Sequence, residues 1–161
     1  MNNLKIPKTI KCIVTDFDGI LTDNTIEIND DLSTSRKLNF KDIMAISMLK
    51  KAGIELAIIS GEKNSAIELV KSKFNLKEVH QDIRIKIDVL KSIVERNNLG
   101  KDEFLFIGDD INDIECLKYS STKITVPGAV AAVKKVEGIQ ITTETSGNGA
   151  FREVVDCLLS T

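Results

Sequence analysis

The chain has 161 residues, enough for one domain around a single core. Hydrophobic residues make up 42% and charged residues 29%, with a formal net charge of -2, so the balance gives no reason to expect nucleic acid or an anionic membrane surface as a partner. No apolar run approaches the length of a bilayer span.

The opening stretch MNNLKIPKTIKC lacks the apolar centre of a signal peptide. A first strand is predicted over 11–15, ending in Asp16 and Asp18, one residue apart. The segment 24–40 reads as a β-hairpin. Ile26 and Ile28 alternate with Thr25 and Glu27 on one arm, and Leu38 and Phe40 alternate with Lys37 and Asn39 on the other. Such a ribbon either packs on its own sheet or offers a wall or an interface beside a site. Next, Ile43, Ile46 and Leu49 share a helix face that Gly53 should stop.

Further strands are predicted over 55–60, 77–80, 103–107, 122–126 and 139–142. Two more helix faces lie between and after them, Ile87/Leu90/Val94 and Ala150/Val154/Cys157/Leu158. Strand and helix in alternation argue an α/β fold with a mostly parallel sheet covered on both sides. Ligand sites of such sheets lie at the carboxyl ends of the strands. Turn clusters such as NDDLSTS and TSGNGA are too short to separate domains, so residues 1–161 should form one domain. The scattered cysteines Cys12, Cys116 and Cys157 sit among apolar neighbours and predict buried thiols in a reducing, hence cytoplasmic, compartment.

Four polar clusters fall at strand ends. Asp16 and Asp18 take alternate positions at the end of a strand, so both carboxylates could face one spot; turn aspartates are an equally good reading of a lone pair. Ser60, Gly61 and Glu62 follow the apolar run ELAII at the mouth of a helix, where free N–H groups suit an anion and a serine suits a cap. Lys86 lies near the start of a helix, beside its apolar face. A cation there opposes the helix dipole unless an anion compensates, although a lone lysine is more often a solvated surface residue. Finally FLFIGDD ends in Asp109 and Asp110, with Asp113 shortly after. So many acids directly after a buried strand suit a hard divalent cation. A calcium loop does not fit: Ile20 and Leu21 break its alternation in the first cluster, and the last cluster lacks the required glycine. His80, the only histidine, ends a short strand and reads as structural or incidental.

Taken together, DFDG, SGE, Lys86 and GDDIND resemble, in order and spacing, the four motifs of the haloacid dehalogenase (HAD) superfamily, and the resemblance spans essentially the whole chain. The absence of an inserted cap, the hairpin after DFDGILTD and the ending SGNGAFRE are similar to its small capless branch. That branch contains 3-deoxy-D-manno-octulosonate 8-phosphate phosphatase and the acylneuraminate-type 9-phosphate phosphatases. The resemblance implies a three-layer α/β/α Rossmann-like fold and a homotetramer. It implies Mg2+ held by Asp16, the backbone carbonyl of Asp18, and Asp109, with Asp113 ordering the surroundings. It further implies Asp16 as nucleophile, Asp18 as general acid and base, Ser60 as a hydrogen-bond partner of the phosphoryl group and Lys86 as its counter-charge.

Gly61, Glu62 and Lys73 are then expected to bind substrate. An acid at Glu62 with a lysine at Lys73 is similar to the nine-carbon branch, so an acylneuraminate-type 9-phosphate is the favoured substrate and the eight-carbon 8-phosphate the alternative. On one helix the two side chains would lie about 16 Å apart, which requires Lys73 to act across a subunit boundary. Ile43 and Ala45 stand where many relatives have glycines, and Ser146 stands where the glycine-rich ending usually begins. A phosphoacceptor signalling domain and an inactive regulatory subunit are the remaining alternatives. Asp18 argues against the first, and the intact set Asp16, Asp18, Ser60, Lys86 and Asp109 against the second.

Overall fold

The structure, a computed structural model, describes residues 4–160. Six strands form one parallel sheet: β1 (Cys12–Thr15), β4 (Glu55–Ile59), β5 (Glu78–His80), β6 (Phe104–Ile107), β7 (Thr122–Thr125) and β8 (Gln140–Ile141). All six were expected, and the inner strands β1, β4 and β6 read as apolar runs because a parallel strand covered on both faces has no polar side to show. β1 and β6 illustrate this, with every residue buried. The ends shift by a residue or two.

The strand order is β5-β4-β1-β6-β7-β8. From β1 the chain moves outward through β4 to β5, then returns past β1 to β6 and continues to β7 and β8. The direction therefore reverses between the adjacent strands β1 and β6, and such a switch point opens a crevice at the carboxyl ends. Right-handed crossovers put α1 (Phe40–Ala52) and α2 (Ser65–Phe74) on one face of the sheet. The same rule puts α3 (Lys86–Arg96), α4 (Ile114–Tyr119) and α5 (Ala131–Lys134) on the other. The last helix, α6 (Ala150–Leu159), packs against α1. The result is the expected three-layer α/β/α arrangement.

Helix ends follow local chemistry. Gly53 stops α1 as expected, its N–H donating to the Leu49 and Lys50 carbonyls. Asp42, buried in α1, accepts hydrogen bonds from the backbone N–H of Gly149 (3.1 Å) and Arg152 (2.9 Å) and so caps α6 from a distant part of the chain. Burial pushes the Asp42 carboxyl above its usual range despite these bonds. In α6, Ala150, Val154 and Leu158 are buried with Phe151 and Val155, while Cys157 is only half-buried. The expectation of three buried thiols thus holds for Cys12 and Cys116 alone, whose thiols burial pushes up to about 12.

The hairpin exists but is shorter than expected. Its paired strands are β2 (Glu27–Ile28) and β3 (Thr34–Ser35), and the second arm does not extend to Leu38 and Phe40. Asn39 instead caps α1 through its side chain, so Phe40 opens the helix and is 88% exposed. Ile26 and Ile28 point to solvent rather than onto the sheet, at 51% and 64% exposure. Among the described residues this hairpin is the only paired structure inserted between β1 and α1, and no helix is long and apolar enough to cross a membrane.

Candidate active site

Asp16 follows the last residue of β1, and its N–H donates to the Ile107 carbonyl of β6 (2.9 Å), which fixes it at the switch point. Asp18 is not on the strand. After Asp16 the chain turns sharply, with Leu21 N–H donating to the Phe17 carbonyl (2.9 Å). The two carboxylates line one cavity because of this turn, not because of strand alternation. Phe17, between them, is fully buried and anchors the turn. Gly19 holds φ +86°, and a Cβ there would meet the Asp109 carboxylate. From the other side Gly147, at φ +64°, donates to the Ile20 carbonyl (3.1 Å) where a Cβ would strike the Asp23 backbone. The glycine-rich ending thus braces the same turn.

Lys86 is fully buried. Its Nζ donates to Asp113 Oδ1 (2.8 Å) and lies 3.0 Å from Asp16 Oδ1. Here the pattern reading is corrected. The buried stripe of α3 is Lys86, Leu90 and Ile93, while Ile87 and Val94 lie half-buried beside it. A lysine counts as polar in any periodicity, so its place in the stripe was hidden. Desolvation opposes its charge, but Asp113 and Asp16 outweigh that and raise its pKa.

Asp113 Oδ2 accepts from the Asp109 N–H (3.0 Å) and the Asp110 N–H (3.2 Å). It therefore ties the acidic loop together, closely against Gly108. Asp110 caps the 3-10 turn Ile111–Asp113, its Oδ1 accepting from Ile111 N–H (2.7 Å). Asp16, Asp109 and Asp113 are all buried, with one carboxylate oxygen of each within 4.8 Å of the others. Burial and the Asp113 charge raise the Asp16 pKa well above its usual range, with Lys86 opposing. Burial, then Asp113 and Asp110, push Asp109 to about 7.

Three buried carboxylates against one buried lysine make an all-oxygen donor set short of positive charge, which fits a hard divalent cation. The Asp18 side chain is directed elsewhere. Its Oδ1 accepts from Arg36 Nε (2.9 Å) and Thr22 Oγ1 (3.1 Å), and its Oδ2 from Asn64 Nδ2 (3.5 Å). Its carbonyl oxygen accepts no hydrogen bond among the described residues, which suits the expected backbone contribution to a metal.

Ser60 is buried at the end of β4, and its Oγ accepts from Glu62 N–H (3.1 Å). It is not a helix cap: α2 starts at Ser65 and Asn64 caps it. Glu62 therefore lies before the helix rather than on one face with Lys73. Glu62 and Gly61 line the cavity of about 460 Å³ that holds Asp16, Asp18, Ser60 and Asp109. Lys73 does not line it. This side chain sits exposed in the last turn of α2 with Nζ 5.8 Å from the Phe74 ring centre. His80 pairs with Glu78 (2.8 Å) and does not line the cavity.

Residues the sequence did not single out also converge here. Arg36, from the hairpin's return, and Asn64 hold Asp18, while Asn24 Nδ2 donates to Asp109 Oδ2 (3.3 Å). All three are loop residues brought in by tertiary folding, and no local spacing marks them.

A parallel sheet with a buried carboxylate cluster and a lysine at its switch point belongs to the class of α/β enzymes built for phosphoryl transfer. The chain belongs to the haloacid dehalogenase-like hydrolases, whose family profile matches residues 62–153. Among curated proteins it is similar to 3-deoxy-D-manno-octulosonate 8-phosphate phosphatase KdsC of Haemophilus influenzae, 26% identical over 94% of this chain and 84% of the relative. Among solved structures it is similar to the Moraxella catarrhalis 3-deoxy-D-manno-octulosonate 8-phosphate phosphatase in complex with magnesium, phosphate and KDO. That likeness has 30% identity, a TM-score of 0.88, and covers 94% of this chain and 87% of that one. The cobalt-bound Haemophilus influenzae phosphatase is 25% identical with a TM-score of 0.87, over 94% of this chain and 88% of that one.

Proposed function

We propose that this phosphatase hydrolyses a 2-keto-3-deoxy sugar acid phosphate through an aspartyl-phosphate intermediate, with magnesium as its cofactor. The observation that carries the reading is the placement of Lys86 between Asp16 and Asp113 in a cluster of three buried carboxylates. Asp16, Asp109 and the Asp18 carbonyl would hold the metal, with Asp113 fixing the loop. When bound, magnesium supplies positive charge against both the nucleophile and the phosphoryl oxygens.

Asp16 attacks phosphorus. The bond from phosphorus to the sugar oxygen breaks, and Asp18 donates a proton to that oxygen. Asp18, now a carboxylate, takes a proton from water as the water attacks phosphorus. The bond to Asp16 then breaks and inorganic phosphate leaves. Arg36, Thr22 and Asn64 hold in place the Asp18 carboxyl group, which donates as the acid in the first transfer and accepts as the carboxylate in the second. Lys86 offsets the repulsion between carboxylate and phosphate, worth several kcal/mol at an effective dielectric of ~20, and Ser60 offers its hydroxyl to the phosphoryl group.

One observation moves the substrate toward the eight-carbon acid and away from the nine-carbon acylneuraminate type suggested by Glu62 and Lys73: curated relatives of this chain include 3-deoxy-D-manno-octulosonate 8-phosphate phosphatases. We take 3-deoxy-D-manno-octulosonate 8-phosphate as the substrate. The test is kcat/KM over a panel of sugar acid phosphates, and a preference for the nine-carbon 9-phosphate would restore the other reading.

The same reading has the chain acting as one catalytic domain in a homotetramer, in a reducing compartment such as the cytoplasm. The exposed Ile26, Ile28 and Leu32 of the hairpin support an interface there, and three free cysteines support the compartment.

A further inference from the structure

The catalytic cavity has an uneven charge. Five lining residues are carboxylates, Asp16, Asp18, Glu62, Asp109 and Asp110, and Arg84 is the single basic lining residue. Lys86 lies beneath, its charge already shared between Asp16 and Asp113. Arg84 is exposed, and its guanidinium makes no hydrogen bond or ion pair among the described residues. Its backbone is well anchored. The preceding Ile83 N–H donates to the Ser60 carbonyl (3.0 Å), and two residues later Lys86 is fixed in the buried cluster. The loop therefore presents a free cation at a defined point of the rim, while Asp16 and Ser60 form the buried floor.

A sugar acid phosphate brings two anionic ends. The phosphoryl end meets Lys86 and the metal at the floor. The carboxylate end must share a cavity with five acids, and like charges in contact repel. The lining offers one group to offset this, and a guanidinium fork matches a carboxylate in shape as well as charge. Resting on the sugar acid phosphate reading above, we propose that Arg84 receives the substrate carboxylate and selects sugar acid phosphates over neutral sugar phosphates. Floor and rim then read opposite ends of one substrate, and the five carboxylates exclude anions that lack the matching spacing.

The test compares wild type, Arg84→Gln and Arg84→Lys on three substrates: 3-deoxy-D-manno-octulosonate 8-phosphate, a neutral hexose 6-phosphate and p-nitrophenyl phosphate. For the sugar acid, Arg84→Gln should lower kcat/KM by ~10- to 100-fold, mostly through KM, the size expected for a hydrogen bond between charged groups. Turnover of p-nitrophenyl phosphate should stay within about threefold, and Arg84→Lys should recover part of the loss. An equal fall on all three substrates would place Arg84 on the phosphoryl group or the fold and overturn the proposal. Retained preference for the acid in Arg84→Gln would overturn it alone. A wild type with no preference for the acid over the hexose phosphate would overturn the function reading along with it.

Discussion

Gly19 lies directly against Asp109: a Cβ built on this glycine would sit 2.1 Å from Asp109 Oδ2. The turn after β1 and the loop after β6 therefore interlock at a position where only a hydrogen fits. Gly19→Ala adds a methyl to a residue at φ +86° and pushes the Asp109 carboxylate out of the acidic cluster. A displacement of about 1 Å can cost ~10²-fold in rate. We expect kcat/KM to fall by at least that factor and magnesium affinity to weaken, with the circular dichroism of the fold retained. Wild-type affinity in the variant would mean that Asp109 does not hold the metal.

Asp18 should separate from Asp16 in a magnesium titration. Its carboxylate is engaged by Arg36 (2.9 Å) and Thr22, not by the acidic triad. Asp18→Asn should lose ~10²–10⁴-fold in turnover, the usual worth of proton transfer, yet bind magnesium more tightly than Asp16→Asn does. Calorimetry on the two variants measures this, and equal loss of affinity contradicts the backbone role given to Asp18.

Much of this site was legible in the sequence because its main parts end buried parallel strands. Apolar runs such as CIVT and FLFI, short and in alternation with helical segments, read as covered strands, and acids placed directly after them fall at the crevice. What spacing could not show is which way each acid turns. Asp16 and Asp18 alternate in sequence, but a turn closed onto Phe17 sends one to Lys86 and the other to Arg36. Lys86 was misplaced for a related reason: a buried, paired lysine occupies an apolar position of α3. The hairpin's second arm failed because Leu38 and Phe40 keep strand alternation while the Asn39 side chain starts a helix. Arg36, Asn24 and Arg84 reach the site through tertiary folding from loops that carry no periodic signal.

The hairpin side chains Ile26, Ile28 and Leu32 are 51%, 64% and 82% exposed. The proposed homotetramer takes these side chains as its contact surface. Light scattering should find the wild type as a tetramer, and the double substitution Ile26→Ser, Ile28→Ser should shift it to smaller species. A monomeric wild type with full activity on the sugar acid phosphate contradicts the assembly.

Glu78 gives a pH dependence away from the metal site. Burial raises its pKa, but hydrogen bonds from His80, Arg96 and Asn97 prevail and hold it below the usual 4.5. A carboxylate depressed in the folded state stabilises the fold above its unfolded pKa, and that contribution is lost as pH falls through the lower folded value. Glu78→Gln should therefore be less stable than wild type at neutral pH, with the gap closing below about pH 4. Thermal melts across pH 3–7 measure it. A gap that widens toward acid contradicts the pairing.

Asp16→Asn probes the proposed nucleophile and its work with magnesium. The amide keeps the shape of the side chain but cannot form the phosphoenzyme. Turnover of p-nitrophenyl phosphate is measured for wild type and variant, each with magnesium and with a chelator. Wild-type turnover should depend on magnesium, and the variant should lose at least ~10³-fold. Variant activity within about tenfold of wild type, or wild-type turnover unchanged by the chelator, would contradict it.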